Sequence, residues 1–196
     1  MRATMLVVAC TLAWLGASHA TAAVQWKSSE GGNDHWYGVK ISDRPLRWSQ
    51  ASVLATRVTD TSHLATVTSQ GESNFIETLL LASPEPSAWL GGIQIDETNE
   101  PAGGWEWVTA EAFAFTNWGP GEPNNTGGVE IFLQLFTQAD GTTAWNDGNF
   151  PIANAIRRGY VVESETDFTV IPIPGAFWML SSALVALATT RHVRRT

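Results

Sequence analysis

The strongest constraint on what this chain can fold into is a change of pattern at Pro84 and Pro86. Before these prolines the apolar residues recur at helical spacing; after them no helical period survives, and Gly, Pro, Asn and Trp dominate. Upstream, Trp48, Ala51, Leu54, Ala55 and Val58 predict an amphipathic helix over 49–59. Ser69-Gln70-Gly71-Glu72 has the form of a capping box. It opens a second helix whose buried face is Phe75, Ile76, Leu79 and Leu80. Alternation predicts strands over 37–42 and 63–67. Downstream, short strands are expected over 88–93, 105–108, 129–136 and 158–163. An irregular stretch from Asp96 to Gly128 is long enough to carry function. Two helices followed by a strand-and-loop half give an α+β plan.

Both ends of the 196-residue chain read as processing signals. Residues 1–23 carry Arg2, an apolar run from Met5 to Gly16, and the small-residue cleavage pattern Ala20-Thr21-Ala22 of a secretory signal peptide. Residues 171–196 open with Pro172 and Pro174. They continue through the apolar stretch Phe177–Ala188 and end in Arg191, Arg194 and Arg195. That stretch is marginal for a stable bilayer span. Between these ends lie a lead-in over 24–34, one domain over 35–164, and a polar linker over 165–170.

Charge and cysteine content exclude several functions. Setting aside Arg2, Arg191, Arg194 and Arg195, seven basic residues face 19 acidic ones, a net of −12. Such a surface repels nucleic acid and anionic lipid, which leaves the C-terminal tail as the membrane contact to expect. The single cysteine, Cys10, lies in the signal segment. The domain is therefore expected to lack disulfides, thiolate catalysis and zinc–thiolate sites. Gly-x-Ser-x-Gly and His-Glu-x-x-His patterns are also missing, and no enzymatic activity is expected.

Five oxygen-bearing side chains stand out. Glu122 and Asn124 flank Pro123, Glu130 follows, and Asn146 adjoins Asp147. A calcium ion takes six to eight oxygens in flexible geometry. Five side chains and one carbonyl would supply about six, leaving positions open. A face of solvated acids is the simpler use of the same residues.

The ordered segments Trp89-Leu90-Gly91-Gly92, Gly104-Trp105-Glu106-Trp107-Val108, Asn117-Trp118, Glu122-Pro123-Asn124-Asn125, Glu130, Trp145-Asn146-Asp147 and Gly159-Tyr160-Val161-Val162-Glu163 resemble a C-type lectin domain. The resemblance implies a C-type lectin-like α+β fold with two helices, small antiparallel sheets and a long irregular calcium-binding loop region. It implies one Ca2+ held by Glu122, Asn124, Glu130, Asn146 and Asp147, with the Asp147 backbone oxygen as a sixth ligand. The same residues would bind a sugar's paired hydroxyls, and Pro123 would be cis. Glu-Pro-Asn resembles binders of mannose- and glucose-type glycans, whereas galactose-type relatives carry Gln-Pro-Asp. The alternative implied use is binding of protein or matrix partners without sugar. The sequence departs from the family where Val162 and Phe132 stand at cysteine positions. It departs again where Ile131 replaces a usual Asp or Asn, which weakens a second calcium site near Asp96, Glu97 and Glu100. Residues 171–196 resemble the PEP-CTERM sorting signals processed by exosortases, implying an exported protein of a bacterial envelope. Trp89, Trp105, Trp107 and Trp118 are expected in the core, and His63 in a structural role.

Overall fold

In the computed structural model, residues 22–149 and 158–169 are described. The strands are β1 (Val24–Gln25), β2 (Trp36–Ile41), β3 (His63–Leu64), β4 (Ser87–Gln94), β5 (Trp105–Trp107), β6 (Phe132–Thr137), β7 (Thr143–Gly148) and β8 (Gly159–Ser164). Helices α1 (Trp48–Ala55) and α2 (Gln70–Leu81) lie in the first half. All eight strands join one sheet in the order β1-β2-β8-β4-β6-β7, with β3 on β8 and β5 on β4. The small antiparallel sheets implied by the family resemblance are joined into this one mixed sheet. The link is a parallel pairing of β4 with β8, Ala88 opposite Gly159 and Trp89 opposite Tyr160. β2 and β8 pair antiparallel from Trp36↔Ser164 to Ile41↔Gly159, which brings the two ends of the domain together.

Alternation along the strands builds two cores. On one face Ala88 and Leu90 of β4 and Val161 of β8 join Tyr37, Val39, Ile76, Leu80, Trp107, Leu133 and Trp145. On the other face Trp89, Tyr160 and Val162 join Leu46, Trp48, Ala51 and Ala55. Neighbouring residues point to opposite sides of a strand, so α2 packs on one face and α1 on the other. The buried indoles are tied by polar ends as well as by area. Trp89 Nε1 donates to the Leu46 carbonyl at 2.9 Å and Trp48 Nε1 to the Leu90 carbonyl at 2.7 Å.

The helices start where the sequence places them. Ser69 Oγ accepts the Glu72 N–H at 3.2 Å. The reciprocal arm of the capping box is shifted: the Glu72 carboxylate takes the backbone N–H of Thr68 at 2.7 Å, not that of Ser69. α1 ends at Ala55 rather than at Thr59. Thr56 caps it, and its hydroxyl bonds back to the Val53 carbonyl at 3.0 Å. β6 begins at Phe132, not Val129, because Val129 and Glu130 are held in the preceding loop. β7, outside the strands expected above, pairs with β6 over six residues from Phe132↔Gly148 to Thr137↔Thr143.

Trp145 is fully buried at the centre of an aromatic cluster. Trp107 and Trp118 meet it edge-on at centroid distances of 5.7 Å each, and Phe115 at 5.6 Å. Trp105, Trp107 and Trp89 are buried as expected, and Trp118 is half-buried. Among the described residues no helix is long and apolar enough to cross a membrane. The signal segment 1–23 is described only from residue 22, and the 171–196 tail lies outside the described residues.

Candidate functional site

β7 delivers Asn146 and Asp147 at the end of the sheet. The aromatic cluster fixes that strand, since Trp145 occupies the position before them. The loop from Gly119 to Glu130 is tied to it first through the main chain. Gly119 N–H bonds the Trp145 carbonyl at 2.9 Å, and Trp145 N–H bonds the Asn117 carbonyl at 2.8 Å. Gly119 N–H and Glu122 N–H then turn the loop over the strand end, Glu122 donating to the Gly119 carbonyl at 3.0 Å.

Side chains complete the stitching. The buried Asp147 carboxylate accepts the Asn124 N–H at 3.0 Å and the Asn125 N–H at 2.7 Å. Glu130, 4% exposed, accepts the Thr126 N–H at 2.9 Å. Asn125 sits in the left-handed region at φ 45 and accepts the Glu130 N–H on Oδ1 at 3.0 Å. Its Nδ2 donates to Glu100, which joins this loop to the acidic loop before β5. The Thr126 hydroxyl donates to Asn124 Oδ1, and Asn146 Nδ2 donates to the Asp147 carbonyl. The Glu122–Pro123 peptide is cis, as is Glu100–Pro101.

Glu122, Asn124, Glu130, Asn146 and Asp147 are therefore brought to one place from two segments. One Glu122 oxygen is buried with no hydrogen-bond donor facing it. Burial, then its hydrogen-bonded contact with Asp147 and the charges of Asp147 and Glu130, push the Glu122 carboxyl up to about 7, against a lowering pull from the Asn124 amide. Crowded carboxylates with one orphaned buried oxygen are a site short of positive charge. No three His, Cys, Asp or Glu side chains converge as a metal cluster among the described residues. Asp147 and Glu130 are instead turned onto loop amides. All five donate oxygen, which suits a hard cation such as calcium.

Asp96, Glu97 and Glu100 do not gather in the same way. Asp96 caps its own turn, accepting from the Thr98 N–H at 2.9 Å and hydroxyl at 2.6 Å, and Glu100 faces Asn125. Asn125 is the organising residue that spacing alone did not single out; Glu100, expected near a second calcium site, faces it instead. A signal for Asn125 existed in its tolerance of left-handed backbone before Gly127 and Gly128.

Residues 44–149, more than half of the chain, match the Lectin C-type domain. The chain belongs to the C-type lectin domain family. Lectoxin-Lio1 of Erythrolamprus poecilogyrus is 29% identical over 150 residues, covering 75% of this chain and 84% of that protein. The solved C-type lectin CEL-I from Cucumaria echinata superposes with a TM-score of 0.52 at 22% identity, over 67% of this chain and 91% of CEL-I. A calcium-independent type II antifreeze protein superposes with a TM-score of 0.51 at 18% identity, over 68% and 88%. These structures establish the C-type lectin fold. The family is generally one of binding domains rather than enzymes, typically with carbohydrate as ligand and calcium as cofactor.

Proposed function

We propose that this C-type lectin domain binds glycans through one calcium ion held by Glu122, Asn124, Glu130, Asn146 and both the side chain and the carbonyl of Asp147. The observation that carries the reading is a buried Glu122 oxygen that no donor serves, on a carboxyl pushed up by burial, by Asp147 and by the charge of Glu130. A bound calcium would supply the charge that keeps these carboxylates ionised together and coordination positions for two neighbouring sugar hydroxyls. Glu122 and Glu130 would accept the hydroxyl protons, and the amides of Asn124 and Asn146 would donate to the hydroxyl oxygens. Such charge-assisted bonds are the strong ones. Their order along the loop, acid before amide around Pro123, is what supports mannose- or glucose-type sugars.

The test is a glycan array probed with calcium and with chelator. Calcium-dependent retention of mannose- or glucose-type glycans is expected. The double variant Glu122→Gln, Asn124→Asp keeps the oxygens but exchanges donor and acceptor, and should move preference away from those sugars. Equal binding by both proteins would place recognition elsewhere. A second reading has its own support: the same fold serves a calcium-independent antifreeze protein, and here the loop is already closed by its own hydrogen bonds. Retention unaffected by chelator, or binding of protein with no glycan signal, would favour that reading. The two terminal segments support export, and the Pro172–Pro174 start, apolar stretch and arginine end support removal of the tail by an exosortase-type protease at a bacterial envelope. Mass spectrometry of the exported protein tests this: recovery of a peptide spanning 177–188 would refute it.

A further inference from the structure

Away from the calcium loops, two buried carboxyls face each other across one phenol. Glu72 of α2 is 2% exposed and Glu163 of β8 is 3% exposed. The Tyr37 hydroxyl oxygen of β2 lies 2.6 Å from Glu72 Oε1 and 3.0 Å from Glu163 Oε1. Asn33 Nδ2 donates to the same hydroxyl at 2.8 Å. A phenol has one proton to give, so it serves one carboxylate; the other contact needs a proton of its own.

The remaining partners decide which carboxyl carries that proton. Glu163 Oε1 receives His35 Nδ1 at 2.8 Å, and Oε2 receives the Thr66 N–H at 3.0 Å and the Thr66 hydroxyl at 3.2 Å. His63 Nδ1 stands 3.9 Å from Oε2. Glu163 is thus surrounded by donors and by two imidazoles, which favours its charged form. Glu72 receives the Thr68 N–H at 2.7 Å and hydroxyl at 3.0 Å, both on Oε2. Its Oε1 meets Tyr37 and, at 3.4 Å, Asn33, with no cation beside it. The other charges near the cluster are Glu111, which shares the Thr66 hydroxyl at 2.7 Å, and Glu165, which acts on His35.

We propose that Glu72 is held as the neutral acid at neutral pH and donates to Tyr37, which donates in turn to an ionised Glu163, so that the domain carries a structural proton in its core. The contacts of Tyr37 are then satisfied: Glu72 Oε2 accepts from Thr68, Oε1–H gives to Tyr37, Tyr37 also accepts from Asn33, and Glu163 accepts from Tyr37, His35 and the Thr66 N–H, while the Thr66 hydroxyl goes to the nearer Glu111. Burial, the largest influence, pushes the Glu72 carboxyl up. At Glu163 burial also pushes up, but His35, His63, Thr66 and Tyr37 together bring the net direction down. The proton joins the lead-in segment, α2 and β8, and makes the closure of the domain sensitive to alkaline pH.

The full chain tests this with Glu72→Gln. A glutamine amide reproduces the neutral acid, its carbonyl facing Thr68 and its NH2 donating to Tyr37. In the Glu122→Gln background, which removes the other carboxyl pushed up to about 7, a carboxylic-acid infrared band at pH 7 should be present and should vanish when Glu72→Gln is added. The melting temperature of Glu72→Gln relative to wild type should rise steadily from pH 5 to pH 8, because above 4.5 the unfolded wild type releases a proton that the folded chain keeps, and the variant has none. Persistence of the band in the double variant, a constant melting-temperature difference across that range, or failure of Glu72→Gln to fold would each overturn the assignment.

Discussion

Removing the Asp147 carboxylate separates what this residue does for the loop from what it does for a cation. Its two oxygens hold the Asn124 and Asn125 amides at 3.0 and 2.7 Å in a fully buried position. Each is a charge-assisted bond of about 1.5–3 kcal/mol. Asp147→Ala removes both acceptors, so roughly 3–6 kcal/mol of stability should be lost in chelator, before calcium enters. For a small domain that is a large part of a total of about 5–15 kcal/mol. Asp147→Asn keeps the shape but offers one acceptor; its NH2 group confronts the second amide, and a loss of about 2–3 kcal/mol is expected.

Urea unfolding in chelator gives the overall loss, and hydrogen exchange at the Asn124 and Asn125 amides gives the local one. With calcium at a hundredfold excess over its dissociation constant, the wild type should gain about 2.7 kcal/mol and both variants nothing. If both variants lie within about 1 kcal/mol of wild type in chelator, and the two amides stay protected, Asp147 does not hold the loop. The geometric argument for the site would then fail.

Three further outcomes follow from the same geometry. Asn125→Ala cuts the links to Glu100 and to the Glu130 N–H and should weaken calcium binding about tenfold, near 1.4 kcal/mol, read by calorimetry with the melting temperature in chelator as the control. His35 is raised above its ordinary 6.5, first by its hydrogen bond to Glu163, so its stabilisation is complete below 6.5 and fades as pH rises through the raised value; Glu163, lowered, stabilises above 4.5 and fades as pH falls. Melting temperature should therefore be best supported by this pair between about 4.5 and 6.5, and His35→Ala should flatten the alkaline side of the profile. Trp89→Phe leaves the Leu46 carbonyl without its indole donor and should cost about 1–3 kcal/mol in urea unfolding.

The helices and the Ser69 cap are legible in sequence because they are local: a 3.6-residue period and a side chain that bonds three residues ahead. β4, β5 and β8 are legible because their apolar and aromatic runs are short and bounded by Gly and Pro. β7 is not, because Asn146-Asp147-Gly148 are poor strand formers and only pairing with β6 makes them a strand. The fusion into one sheet depends on the parallel contact of β4 with β8, and nothing in either segment alone encodes it. The ligand-type residues were legible through the order of segments shared with C-type lectin domains. The bonds that organise them run from backbone amides to carboxylates, so they leave no residue pattern to read. The Glu72–Tyr37–Glu163 chain is silent for another reason: its members are 35 and 126 residues from Tyr37, and each looks like an ordinary surface or core residue by itself.

The same contrast explains how a domain of this family closes without disulfides. Val162 and Phe132 stand where the family resemblance places cysteines. Val162 is fully buried between Trp89, Tyr160 and the α1 side chains. Phe132 lies half-buried against that cluster and stacks on Trp48 with centroids 4.9 Å apart and planes 12° from parallel. Burying a Val and much of a Phe contributes about 1.5–3 kcal/mol each, and the stack about 0.5–1.5 kcal/mol more. The β2–β8 ladder already holds the domain's ends in register. What packing does not supply is order in the loops from Asp96 to Glu130, where few large side chains are buried apart from the Trp105, Trp107 and Phe113 group. There the holding forces are the carboxylates of Asp147, Glu130 and Glu100 on loop amides, which is where a cation of matching charge would add most.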